Sequence, residues 1–182
     1  RWLEKDEDGY LIFRDSKRQQ EYRSEGGLKS YCKTFDLPFK KYQNLQEIQE
    51  YMDKLLSSAW IKRRFGEVPK VTVFQSPKRL TSFAKTYDSE IHISTMMMDQ
   101  LTVLHEVAHI LNRSGGICHG RYFCRIMLEL VGHEMGEDYK KELKRQYQRR
   151  GIKFTPIIIY SKETLEKLRE RGKQLANAYF KK

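Results

Sequence analysis

Apolar residues recur in two different periods along this chain, and the change of period marks its elements. Between 45 and 60 the apolar positions Leu45, Ile48, Met52, Leu55, Leu56, Ala59 and Trp60 keep three-to-four spacing, which places them on one face of a helix. Asn44 stands before the run as a cap, and Gly66 and Pro69 follow it, so the pattern predicts a helix over 45–64. The period then shortens. Residues 68–75 are rich in β-branched side chains, and 81–87 and 90–94 are short runs separated by the turn pair Asp88-Ser89. Three strands are expected there, the last two as a hairpin. Helical spacing returns over 96–112, with Ser94 or Thr95 as cap and Asn112-Arg113-Ser114-Gly115-Gly116 as stop. Met96-Met97-Met98 reads as core packing near that start. A further helix is expected over 120–131, where Phe123, Ile126, Met127 and Leu130 share a face.

The flanks carry weaker patterns. Residues 9–14 read as a short strand, while 16–31 are polar, with Gly26 and Gly27 expected to break any long helix. Leu37-Pro38-Phe39 reads as a connector. Residues 138–150 form a basic helix, 152–160 a strand that Pro156 assigns to an edge, and 162–180 a final helix capped by Ser161 and interrupted by Gly172. No internal repeat or low-complexity tract appears. The expected fold is α+β and zincin-like: a small, mostly antiparallel sheet over 68–94, with 9–14 and 152–160 as candidate additions, packed on the 45–64 and 96–112 helices. Residues 1–66 are read as an N-terminal support region, 67–138 as the catalytic core and 139–182 as a basic appendage, all packing as one unit.

Composition narrows the class. An aromatic share of 12% argues against wholesale disorder. Uninterrupted apolar runs, such as 157–160, are far shorter than the ~20 residues of a membrane span. No N-terminal stretch has a signal-peptide layout, and three cysteines (Cys32, Cys118, Cys124) favour a reducing compartment over a disulfide scaffold. A cytoplasmic protein is expected. The net charge of +11 is unevenly spread. Residues 1–66 hold 14 basic and 11 acidic side chains, 67–138 hold 7 and 9, and 139–182 hold 14 and 4. The excess therefore sits in the last quarter, where clustered Lys and Arg could contact nucleic acid by releasing phosphate counterions.

The chemistry concentrates at His105-Glu106-Val107-Ala108-His109. Residues four apart share a helix face, so both imidazoles can reach one zinc ion. Glu106, one step round, is placed to act on water as general base. The flanking ladder Leu101, Leu104, Ala108 and Leu111 makes this an apolar helix, in which ionisable groups are costly unless partnered. A catalytic zinc takes three protein ligands and keeps one open position. The metzincin continuation would need Gly at 112 and His at 115, and the chain has Asn112 and Gly115. Two candidates remain for the third ligand. His119 follows His109 by ten residues, after a glycine-rich turn. Glu129 follows by twenty, on the next helix, about 280° round from His119 on an ideal helix, so the two do not share a face. Cys118 reads as a small buried thiol.

The segment Leu104-His-Glu-Val-Ala-His-Ile-Leu111, followed by His119-Gly120-Arg121-Tyr122-Phe123, resembles the H-E-x-x-H…H-G-x-x-F arrangement of SprT-like small zincin peptidases and of short phage and actinobacterial metallohydrolases. The hairpin over 84–94 resembles theirs too, and the likeness covers roughly 71–133. It implies a Zn2+-dependent peptidase with His105, His109 and His119 as ligands and Glu106 as base. If the chain is phage-encoded, the compartment is the host cytoplasm. In this fold class an extended peptide adds to the sheet edge beside the metal helix, which nominates Phe83, Ala84, Lys85 and Tyr87 as substrate-facing. Tyr122 is the candidate oxyanion stabiliser, with Arg121, Tyr87 and His133 as others; His133 otherwise reads as a helix-end residue. The four-cysteine zinc ribbon of many SprT-like proteins is absent from the sequence. The expected partner is a protein or peptide substrate, with nucleic acid a candidate partner of 139–182. The competing readings are a nucleic-acid-binding protein and a non-proteolytic interaction module on a zincin scaffold.

Overall fold

Three side-chain caps fix where the central helices begin. Asn44, Ser58 and Asp99 stand in extended backbone, and each accepts a hydrogen bond from the backbone N–H three residues on: Glu47 at 2.9 Å, Ile61 at 3.2 Å and Thr102 at 2.9 Å. The computed structural model describes residues 3–5, 11–13 and 18–154, apart from 79, 87 and 113–118. In chain order these form β1 (Leu3–Lys5), β2 (Leu11–Phe13), α1 (Arg18–Thr34), α2 (Leu45–Ser57), α3 (Ala59–Phe65) and β3 (Thr72–Gln75). There follow β4 (Phe83–Lys85), β5 (Glu90–Ile93), α4 (Gln100–Leu111), α5 (Arg121–Glu134) and α6 (Glu137–Arg149). The fold is α+β, with six helices and a three-stranded mixed sheet among the described residues. The described chain divides into two compact units: residues up to 37 with 119–154, and residues 38–112.

The 38–112 unit carries the sheet. Its strand order is β3-β5-β4, with β3 parallel and β4 antiparallel to the central β5. The expected mostly antiparallel sheet is therefore mixed. Residues 9–14 do not join it, because β2 pairs with β1 in a separate two-stranded sheet. Along β5, Ile91 and Ile93 are fully buried while Glu90 and His92 are half-buried, the alternation of a strand with one core face. Helix α2 packs on β3, and α4 packs on β4 and β5.

The expected 45–64 helix is two helices. Ser58 adopts φ -62° and ψ 147°, closes α2 through its N–H and opens α3 through its hydroxyl. Gly66, at φ 80°, ends α3 in a conformation that suits glycine. The metal-motif helix starts at Gln100, capped by Asp99, and not at 96 after Ser94 or Thr95. Backbone pairing explains the shift: Tyr42 N–H donates to Met98 C=O and Gln100 N–H to Lys40 C=O, so 97–99 is held as a bridge to 40–42. Consequently Met96 is 60% exposed and Met97 and Met98 are half-buried, not core.

In the other unit α6 packs against α1 and α5. The break expected at Gly26-Gly27 does not occur, and α1 runs through both. Its buried face is Glu21, Ser24, Glu25, Leu28 and Cys32, helical in spacing but too polar to register as an apolar stripe. Gly27 is required by close approach. A Cβ there would stand 2.5 Å from Gln146 Oε1 and 2.6 Å from its Cδ, while one at Gly26 would meet nothing within 4 Å. Gln146 cannot easily yield, since it is bonded to Glu142 and Arg150. Helix α5 continues to Glu134, one turn past the expected 131. Residues 152–154 have no regular structure, and the rest of the expected 152–160 strand and the 162–180 helix lie outside the described residues.

The two adjacent glycines should respond oppositely to alanine. Gly26→Ala is expected to stabilise by about 0.5–1 kcal/mol through helix propensity, and Gly27→Ala to destabilise by about 1–3 kcal/mol through overpacking. Urea denaturation of both variants measures the contrast, and equal effects would refute the close approach to Gln146.

Candidate metal centre

Helix α4 buries ten of its twelve residues, including His105 and Glu106, which are 2% and 3% exposed. His109, one turn on, is half-buried. Helical spacing brings the two imidazoles together as the sequence requires. Their Nε2 atoms are 3.1 Å apart and their rings meet edge to face at 72°. At that separation the two nitrogens either share a proton or converge on one cation. Burying both with a carboxylate is costly without such a partner.

His119 belongs to the other unit, two residues before α5, and is 5% exposed. Gly120 is the helix cap in extended backbone. The His119 ring has two aromatic neighbours, Tyr22 of α1 at 5.4 Å and Phe123 of α5 at 4.9 Å between centroids. Cys124 Sγ donates to the His119 carbonyl at 3.8 Å. These contacts hold the ring and its backbone. Glu129 is buried on α5, where its carboxylate pairs with Arg125 at 2.7 Å, one turn earlier. Tyr122 is half-buried in the first turn of α5, and Arg121 is exposed there. His133 is exposed at the far end of α5, 2.7 Å from Glu134, as a helix-end histidine would be.

Described side chains with the chemistry to hold a metal ion include His105 and His109 in one unit and His119, Glu21 and Glu25 in the other. No family model, characterised protein or solved structure matches this chain. The chemistry of the centre therefore rests on these residues themselves.

Of the substrate-facing candidates, Phe83 and Ala84 are half-buried and Lys85 exposed, all three on β4. Tyr87 and Cys118 lie outside the described residues. Cys32 and Cys124 are free, buried thiols, and burial pushes the Cys32 thiol above its ordinary value.

The sequence reading missed the buried carboxylates of α1. Glu21 is fully buried and Glu25 nearly so, one turn apart on the inner face of that helix. Tyr147 of α6, itself fully buried, donates to Glu21 Oε1 at 3.3 Å. Burial, reinforced by the negative charge of Glu21, holds the Tyr147 hydroxyl well above its usual range, so it remains a donor. The available signal was the i, i+4 spacing of Glu21 and Glu25, with Leu28 and Cys32 continuing the same face.

Metal binding should be visible in stability. Adding a divalent transition metal such as zinc to chelator-treated protein is expected to raise Tm, by about 4 kcal/mol of stabilisation at a thousandfold excess over Kd. His105→Ala or His109→Ala should remove that rise. A rise that survives both substitutions would place the ion elsewhere.

Proposed function

We propose that this protein is a zinc-dependent peptidase of zincin type, similar to the SprT-like enzymes. One observation carries the reading: His105 and His109 present their Nε2 atoms 3.1 Å apart on a buried helix, with Glu106 buried between them in sequence. Two nitrogens that each bind one tetrahedral zinc at about 2.0–2.1 Å are separated by roughly 3.3 Å, so the donor pair fits that ion. His119 is the proposed third ligand. Its buried imidazole supports this choice over Glu129, whose carboxylate is already neutralised by Arg125.

A bound zinc ion supplies Lewis acidity, polarising a peptide carbonyl and making water acidic enough to react near neutral pH. The protein residues do the rest. Glu106 accepts the proton of the attacking water and delivers it to the departing amine. Tyr122 is proposed to donate a hydrogen bond to the carbonyl oxygen as negative charge develops there.

The sheet suggests where the peptide lies. Of the two edges, β3 is occupied: Gln49 of α2 donates to Val71 C=O at 2.9 Å and accepts from Val73 N–H at 2.8 Å, a side-chain amide in place of a strand. The other edge is β4, beside α4 and unpaired on its outer side among the described residues. An extended substrate adding to Phe83–Lys85 would place its backbone beside the metal helix.

Nucleic-acid binding through 139–182 is retained as the alternative for where the enzyme is directed. In the described part of that segment the charge is partly neutralised within α6. Lys140 pairs with Glu137, Lys141 with Asp138, and Arg145 with Glu142 at 2.7 Å.

Glu106→Gln is expected to keep bound zinc at one per chain while lowering peptide cleavage by about 10²–10⁴-fold. Unchanged turnover would rule out this mechanism. The third ligand has its own test. Metal analysis should find zinc lost from His119→Ala and kept by Glu129→Gln, and the reverse pattern would exchange their roles.

A further inference from the structure

The outer face of the sheet carries two parallel rows of side chains, set by register. Phe74 on β3 pairs with His92 on β5, which pairs with Phe83 on β4. The rings stack along this row. Phe83 and His92 are 4.5 Å apart and 7° from parallel, and Phe74 and His92 are 5.3 Å apart at 24°. Two positions away runs the second row, Thr72, Glu90 and Lys85. Here Glu90 Oε2 meets Lys85 Nζ at 3.1 Å and His92 Nε2 at 3.0 Å. The His92 contact first, and Lys85 with it, hold the Glu90 carboxyl below its ordinary value. The same contact fixes the plane of the imidazole, and hence of the stack.

Both rows run toward β4 and end there. Neighbouring strands lie about 4.8 Å apart, close to the spacing of the stacked rings. A strand laid along β4 therefore sets one side chain where the next ring of the stack belongs. Its side chain two positions away falls beside the Lys85 ammonium, which is 47% exposed.

We infer that the β4 edge reads sequence in an extended peptide, selecting an aromatic residue opposite Phe83 and an acidic residue, two positions away, opposite Lys85. This rests on the reading of β4 as the substrate edge and deepens it to a specificity. The aromatic residue extends the Phe74–His92–Phe83 stack, and the acid continues the alternation of charge from Glu90 to Lys85. Each such cross-strand pair changes affinity by about twofold to fivefold. Ala84, between the two rows, has its side chain on the other face.

The test uses the full chain carrying Glu106→Gln, loaded with zinc, and fluorescence anisotropy of labelled ten-residue extended peptides. The set holds an aromatic and an acidic residue two apart in both orders, the same peptides with alanine for the aromatic, and the same with lysine for the acid. Alanine is expected to weaken binding by about threefold and lysine by about fivefold, and the preferred order reports the strand direction. Lys85→Glu should reverse the preference between acid and lysine. Lys85→Gln, which brings no like charge beside Glu90, should erase it. No preference, or a preference unmoved by both Lys85 variants, overturns the inference. Cleavage of the same peptides by the unmodified protein separates the two readings. Cleavage without the preference leaves the peptidase standing and refutes this specificity. The preference without any cleavage keeps the edge recognition and refutes the peptidase. Absence of both refutes both.

Discussion

The structure depends on the cost of placing ionisable groups inside an apolar helix. Helix α4 is buried along almost its whole length, yet carries two imidazoles and a carboxylate within one turn. An isolated charge there would cost several kcal/mol, so these groups need each other or a shared cation. The Nε2 to Nε2 approach of 3.1 Å is the visible form of that requirement. Much of the 38–112 unit serves to hold the helix still. Asp99 caps it, the bridge between Lys41 and Asp99 fixes its entry, Asn112 closes it, and Ile91 and Ile93 give the sheet a core face of fully buried side chains. A rigid helix matters for the proposed metal site, because ligand nitrogens converging on one ion tolerate errors of only about half an ångström.

Those parts of the fold whose cause is local were legible in the sequence. Asn44 at the start of α2, Gly66 at the end of α3 and the turn at Asp88-Ser89 behave as their chemistry prescribes. The central helix was legible for a stronger reason, since apolar spacing and the His-Glu-x-x-His pattern agree there. Where two local signals competed, the reading went wrong. Ser94, Thr95 and Asp99 can all cap a helix. The choice fell to Asp99 because backbone pairing with 40–42 claims the intervening residues, and that is a long-range fact. Ser58 ended one helix and began another inside an unbroken apolar stripe, because its hydroxyl offered a cap.

Helix α1 is the clearest case of information absent from local pattern. Its inner face is mostly Glu21, Ser24 and Glu25, and its two adjacent glycines are a breaker signal. Its Gly27 is packed against a neighbour 119 residues away in sequence. Gln146 fills the space a side chain at Gly27 would need, and Tyr147 supplies a hydrogen bond to Glu21. Glycine there is required by close approach, and the packing supplies a donor to one carboxylate oxygen of the buried Glu21. The candidate ligands divide along the same line. His105 and His109 follow from spacing on one helix. The merits of His119 over Glu129 rest on contacts of both kinds: Phe123 and the distant Tyr22 flank the one, and Arg125, one turn earlier on the same helix, pairs with the other.

Strand β5 joins the core to the face on which recognition is proposed. Its period of two sends Ile91 and Ile93 inward and Glu90 and His92 outward. A slip of one residue would exchange the two sets, exposing both isoleucines and burying a carboxylate. The inward pair cannot move because its apolar area must stay covered, at roughly 1.5–3 kcal/mol per side chain. The outward row inherits that precision at no further cost in packing. The stack of Phe74, His92 and Phe83 therefore does not depend on its own attraction for its register. It is held in place by the hydrophobic face beneath it, which lets partly solvent-exposed side chains keep a fixed geometry.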